Sequence, residues 1–131
     1  MATIEFPYGE FKGRYYPLIK VHIKNKDIEK DSDALIDSGA IISMFRPEIA
    51  ESLGIKIEDG ERRMSVGISG KIEVFIHQIE LKVLDRWFSC TVAFSRQNIT
   101  SFNLIGREGF FDRHLVTFNE KEKKTIISEF E

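Results

Sequence analysis

Apolar and polar residues alternate along most of this chain. In "YYPLIKVHIKN", Ile19, Val21 and Ile23 are interleaved with Lys20, His22 and Lys24. That is the period of two of a strand with one buried face. The polar stretch "NKDIEKDSD" reads as a turn, and "ALID" as a short apolar strand ending at Asp37. Only "RPEIAESLGI" carries a convincing helical signal. Pro47 suits the first turn, Glu48 and Glu51 favour the N-terminal half, and Gly54 is placed to end it.

Residues 62–84 predict a long hairpin. Gly67 and Gly70 bracket Ile68 and Ser69, the composition of a tip. On the returning strand Ile72, Val74 and Ile76 lie in one phase and Ile79, Leu81 and Val83 in the other. The switch implies a bulge, or a strand that leaves one packing surface and joins another. A turn at Asp85 and Arg86 leads to a strand with Phe88, Cys90, Val92 and Phe94 on its inner face. The remainder predicts a short strand, a glycine turn, a brief helix carrying Phe110 and Phe111, and a terminal hairpin with "NEKEKK" as its loop. Both "MATIEF" and "TIISEFE" are strand-like and could pair across a dimer interface.

Length and composition narrow the class. With 131 residues, 42% apolar, and no linker or repeat, the chain predicts one domain over residues 1–131. A net charge of −2 with both signs mixed gives no electrostatic footprint for nucleic acid. No apolar run approaches the roughly 20 residues of a spanning helix, and the N-terminus has no signal-peptide pattern. Cys90 is the only cysteine, so no intrachain disulfide forms and the chain suits a reducing, cytoplasmic setting. It reads as a small core residue. His22, His77 and His114 are scattered without metal-ligand spacing, so no metal or other cofactor is expected.

The candidate chemistry lies in three features in order. Leu35-Ile36 leads into Asp37-Ser38-Gly39-Ala40; the glycine-bracketed tip is Val66-Gly67-Ile68-Ser69-Gly70; Leu104-Ile105-Gly106 follows late in the chain. Together they resemble the retropepsin-like aspartic proteases, single-domain relatives of pepsin, from about Pro17 to Ser128. The resemblance implies a mainly β fold: a closed β-barrel, half of an acid protease, with one or two short helices and a C2 homodimer. It also implies an aspartic endopeptidase acting on peptide or protein substrates. Asp37 would be catalytic, and Ser38, Gly39 and Ala40 would support its loop. Val66 to Gly70 would form a flap over the substrate, with Leu104, Ile105 and Gly106 buttressing from beneath.

The chemistry explains the residue types. Hydrolysing an amide without a metal needs a base to deprotonate water and an acid to protonate nitrogen. Two carboxylates about 3 Å apart can do both, because one proton is shared between them. No other aspartate here is followed by Ser or Thr and Gly, so a second copy must supply the second carboxylate. Retroviral members follow the Ala with acidic residues, and an arginine at the place of Arg107 pairs with one of them. Here Ile41 and Ile42 stand in those places, so cellular or prokaryotic relatives are the nearer comparison.

Blander readings exist for each feature. Asp, Ser and Gly all favour turns, a glycine-bracketed tip is usually a plain hairpin turn, and Leu104-Ile105-Gly106 is a core strand in either case. The same fold could also serve as a weakly active or inactive dimerisation or peptide-binding module. An unrelated small β-barrel with an accidental motif is the third option.

Overall fold

The structure, a computed structural model, describes residues 2–67, 70–97 and 100–130. Ile68 and Ser69 of the expected flap tip lie outside the described residues. Strands dominate: β1 (Thr3–Pro7), β2 (Gly9–Phe11), β3 (Arg14–Tyr16), β4 (Leu18–Asn25), β5 (Ile28–Ile36) and β6 (Ser43–Phe45) come first. The six-residue helix α1 (Pro47–Ser52) and a single 3-10 turn (Ile57–Asp59) follow. Then come β7 (Glu61–Gly67), β8 (Gly70–Lys82), β9 (Trp87–Phe94), β10 (Asn103–Ile105), β11 (His114–Asn119) and β12 (Lys124–Glu129).

The main sheet runs β4-β5-β10-β6-β9-β8-β7, and β4 also pairs with β8. That extra ladder joins Ile23 to Leu81 and closes six of the strands into a barrel, leaving β7 attached to β8 alone. Closure removes the edges an open sheet would expose. Ile19, Val21 and Ile23 point into the core from β4, as their alternation implies, and Phe45, Leu81, Val92, Phe94 and Ile105 meet them there.

Two readings of the pattern need correction. "NKDIEKDSD" is not a turn: only Lys26 and Asp27 form one, and Ile28 to Asp33 continue β5 against β4. This half of β5 is mostly exposed, so nothing forces alternation of apolar residues. Lys20 faces Asp33 and Lys24 faces Glu29, opposite-charge pairs of the kind that stabilise a ladder, and His22 faces Asp31 between them. The strand-like termini do pair, but within one chain. Thr3 faces Ser128 and Phe6 faces Thr125, making a separate sheet ordered β1-β12-β11.

The phase switch in β8 resolves without a bulge. Its register with β7 and with β9 is unbroken through Phe75 and Ile76. Phe75, Ile79 and Leu81 pack into the barrel, whereas Val74 and Ile76, on the other face, line a surface groove. The expected brief helix after Gly106 is a wide turn, Arg107–Phe111. Glu108 (φ −72°, ψ 125°) and Gly109 (φ 87°, ψ −12°) depart from helical geometry within it, and take the two central conformations of a type II turn. In α1, Pro47 occupies the first turn, and Gly54 just beyond it has φ +70°, as expected for a helix-ending glycine.

Candidate active site

The Asp37 loop owes its position to strand order. β5 and β6 are consecutive along the chain but lie on either side of β10, so residues 37–42 cross about 10 Å, two strand spacings. β10 runs parallel to β5, with Ile105 beside Ile36. Its C-terminal end therefore emerges directly beneath the loop. The Asp37 N–H donates to the Ile105 carbonyl at 2.9 Å, and the Arg107 N–H and Glu108 N–H donate to the carbonyls of Ala40 (2.9 Å) and Ile41 (2.8 Å). The loop is thus held along its length by the segment that carries Leu104, Ile105 and Gly106.

Within the loop, the Gly39 N–H donates to Asp37 Oδ1 at 2.9 Å and the Ala40 N–H to the Asp37 carbonyl at 3.2 Å. Asp37 is half-buried, while Ser38 and Gly39 are exposed. A carboxylate tied to a backbone N–H two residues on has a fixed direction, which suits a group that must meet a reactant. At Gly106 the constraint is space. A Cβ there would lie 2.7 Å from the Ala40 carbonyl oxygen and 2.9 Å from the Ile42 carbonyl carbon, both backbone atoms.

Beside the loop lies a groove of about 420 Å³. Its floor is one row of the sheet read across four strands: Ile76 faces Ala93, Ala93 faces Met44, and Met44 faces Leu104. Gly39, Ala40, Ile41 and Ile42 form one wall; Arg63, Met64 and Ser65 from β7 form the other. Such a trough is apolar along its floor and polar only at the rim. It fits an extended peptide whose side chains alternate above and below its backbone.

The structure brings Asp37, Gly39 and Ala40 together with Leu104, Ile105 and Gly106. Ser38 sits on the open surface of the loop. The backbones of Val66 and Gly67 pair with Lys71 and Gly70 at the far end of the hairpin. Arg107 lines a second cavity, about 480 Å³, with Ile41, Glu108, Phe111 and Asp112.

Sequence reasoning missed Met44, Arg63, Met64 and Ala93 in the groove. It also missed two buried polar residues that brace the site. Ser43 Oγ accepts the Gly106 N–H at 2.9 Å. Asn103 accepts from the Arg46 N–H at 2.8 Å and donates to Ser32 Oγ (2.9 Å) and the Asp33 carbonyl (3.0 Å), joining β10 to both neighbouring strand segments. A lone Ser inside "IISMF" and a lone Asn inside "FNLI" were the available signals, because a polar residue in an apolar run must be satisfied where it is buried.

Cys90 is buried on β9, and burial pushes its thiol up to about 11. It stays protonated at neutral pH and is a packing residue rather than a nucleophile. The histidines lie apart: His22 beside Asp31, His77 on the Ile57 carbonyl and His114 on the Phe110 carbonyl.

Among solved structures, the chain resembles a retropepsin-like aspartic protease from Rickettsia conorii, with a TM-score of 0.67 and 14% identity over 96% of this chain and 98% of the other. It also resembles the EIAV protease solved with a bound inhibitor, at a TM-score of 0.55 and 18% identity over 76% of this chain and 88% of that one. At these identities the likeness speaks for the fold. No match was found among curated proteins. The aspartyl protease family model matches residues 19–108, from the first barrel strand through the turn that braces the Asp37 loop. With that match over most of its length, and a retropepsin-like fold, this chain belongs to the aspartyl protease family.

Proposed function

We propose that this chain is an aspartic endopeptidase, a single domain acting as a homodimer in the cytoplasm, in which the Asp37 carboxylates of two copies share one catalytic water. The observation that carries this reading is the braced Asp37 loop at the wall of an apolar groove fit for an extended peptide. The chain has no second Asp-Ser/Thr-Gly, so a lone protomer has half the acid–base pair.

In this reading one Asp37 is ionised and removes a proton from the attacking water while its counterpart, protonated, donates to the substrate carbonyl. The proton taken from water then passes to the leaving nitrogen as the C–N bond breaks, and the former carbonyl oxygen returns its proton to the counterpart. Gly39 lets the backbone approach the carboxylates where a side chain would intrude. The Ser38 hydroxyl, on the exposed surface of the loop, would bond across the two-fold axis. The hairpin of β7 and β8, with Val66, Gly67, Ile68, Ser69 and Gly70 at its end, covers the bound peptide and excludes water. Leu104, Ile105 and Gly106 hold the loop from beneath.

The test is hydrolysis of an unfolded protein or a peptide library between pH 3 and 7. Wild type should cleave with an acid-to-neutral optimum, and Asp37→Asn should lose activity by at least about 10³-fold, since no acid–base pair remains, while keeping its oligomeric state. Equal activity in both proteins means a contaminant and rejects the reading. Tight peptide binding without turnover at any pH would instead assign the chain to the non-hydrolytic binding module. The replacement of the acidic pair by Ile41 and Ile42 is the one observation that favours that alternative.

A further inference from the structure

We infer that the cavity between the β8–β9 turn and the start of β11 is a binding site for a phosphate group, held by Arg86, Arg113 and the ring of His114. This goes beyond the protease reading and does not depend on it, since no group placed in the peptide chemistry lines this cavity.

The cavity measures about 110 Å³ and is lined by Leu84, Arg86, Phe88, Arg113, His114 and Glu129. A water takes up roughly 30 Å³ in the liquid, so the space suits a small anion with about four oxygens. It is far too small for a peptide segment.

Charge is unevenly satisfied around it. Arg46, Arg62, Arg63 and Arg96 each pair with a glutamate. Arg86 and Arg113 are exposed, and neither has a carboxylate partner among the described residues. The acids nearby are engaged by backbone instead. Both oxygens of Asp112 accept the Gly109 N–H at 3.1 Å, and Glu129 Oε1 accepts the Ala2 N–H at 2.8 Å. Two guanidinium groups therefore share one small cavity with a single carboxylate that is already bonded elsewhere.

The donors select the anion. Each guanidinium presents parallel N–H groups as a fork. One fork fills both oxygens of a carboxylate, whereas a phosphate has oxygens enough for two forks and a third donor. The Arg113 guanidinium lies over the Phe88 ring, 5.7 Å from its centroid, which holds the fork in place with its N–H edge free. His114 Nδ1 donates to the Phe110 carbonyl at 3.0 Å. A carbonyl only accepts, so Nε2 is the nitrogen open to a second proton. Once protonated, the ring is a cation beside the two arginines.

This links binding to pH. Burial above all, then Arg113, holds the His114 pKa below the ordinary 6.5, while the Phe110 carbonyl, Asp112 and Glu129 act the other way; Arg86 lines the same cavity. A bound dianion favours the charged ring and raises its pKa. By linkage, affinity should rise as pH falls and level off below the pKa of the ligand-free ring.

The experiment is NMR titration of the full chain with sodium sulfate between pH 7.5 and 5, at ionic strength fixed with sodium chloride, following the ring protons of the three histidines. Sulfate is the tetrahedral probe because phosphate changes charge near pH 6. His114 should shift saturably with its pKa raised, while His22 and His77 stay in place. Arg86→Gln and Arg113→Gln should each weaken binding about tenfold or more, as expected for losing hydrogen bonds to a charged group. Glu129→Gln keeps an oxygen for the Ala2 N–H and removes the one opposing charge, so it should bind more tightly. Asp37→Asn should bind as wild type does, which separates this site from the peptide chemistry.

A shift that never saturates, or that moves all three histidines alike, is a general salt effect and overturns the site. So does folded Arg86→Gln or Arg113→Gln protein that binds sulfate at wild-type affinity; if one variant fails to fold, the other and Glu129→Gln carry the test. Competition by inorganic phosphate and by glycerol 3-phosphate would assign the site to a phosphate group whatever carries it, and competition by inorganic phosphate alone to the free ion. Competition by neither overturns the proposal.

Discussion

Gly106 shows how little room the Asp37 loop has. Its φ of −104° is open to any residue, so the glycine is needed for space alone, against the carbonyls of Ala40 and Ile42. Gly106→Ala should lower stability by about 1–3 kcal/mol, the usual cost of forcing a methyl into packed surroundings. Because the neighbours are backbone, the strain is relieved by moving the loop, and peptide hydrolysis should fall further than stability does. Urea denaturation and kcat/KM on the same preparation check both halves. The motif around Asp37 was legible because it is local: six adjacent residues, Leu35 to Ala40. Ser43 and Asn103 were not, because what makes them matter is a partner about 60 or 70 positions away that no window of sequence contains.

Among elements, β11 also carries a titration that bears on how the protein behaves in acid. His114 is buried against Phe110 and Phe88, with ring centroids 4.5 and 5.1 Å away. Burial, the largest influence, pulls its pKa below the ordinary 6.5, and Arg113 adds to this; the Phe110 carbonyl, Asp112 and Glu129 act the other way. The folded protein thus favours the neutral ring. Above pH 6.5 the His114 contribution to stability is full, and it declines as pH falls through 6.5 toward the lower folded value, where the unfolded chain binds the proton more readily. His114→Phe should show a shallower loss of melting temperature between pH 7 and 5 than wild type, whatever its stability at pH 7. An equal slope would place the acid sensitivity elsewhere. Element prediction followed burial: β4, β9 and α1 announce themselves because one face of each is buried. The exposed half of β5 does not, since cross-strand charge pairs leave no periodic trace.

For the whole molecule, closure of the barrel depends on β4 meeting β8, two strands about 60 residues apart. The family pattern implied that closure, whereas local periodicity had no means of specifying it. The intrachain pairing of β1 with β12 was likewise invisible, because strand-like termini carry no mark of which partner they take. If the active unit is a dimer, dilution tests it directly. Once the protein is mostly monomeric, each tenfold dilution should lower activity per milligram about tenfold, as mass action requires, and reconcentration should restore it. Constant specific activity down to the detection limit would show that one protomer suffices.

The unbroken run of β8 has a mechanical consequence. From Phe75 onward the strand is clamped by β9 on one side, and from Glu80 by β4 on the other; Gly70 to Val74 pair only with β7. No glycine or proline lies between Lys71 and Lys82, so the hairpin has no hinge there. It is a cantilever about 17 Å long at strand rise, rooted at Phe75, which is 7% exposed. In the flap role proposed for this hairpin, opening the groove would bend the arm at that root, and peptide entry would depend on the stiffness of a two-stranded beam.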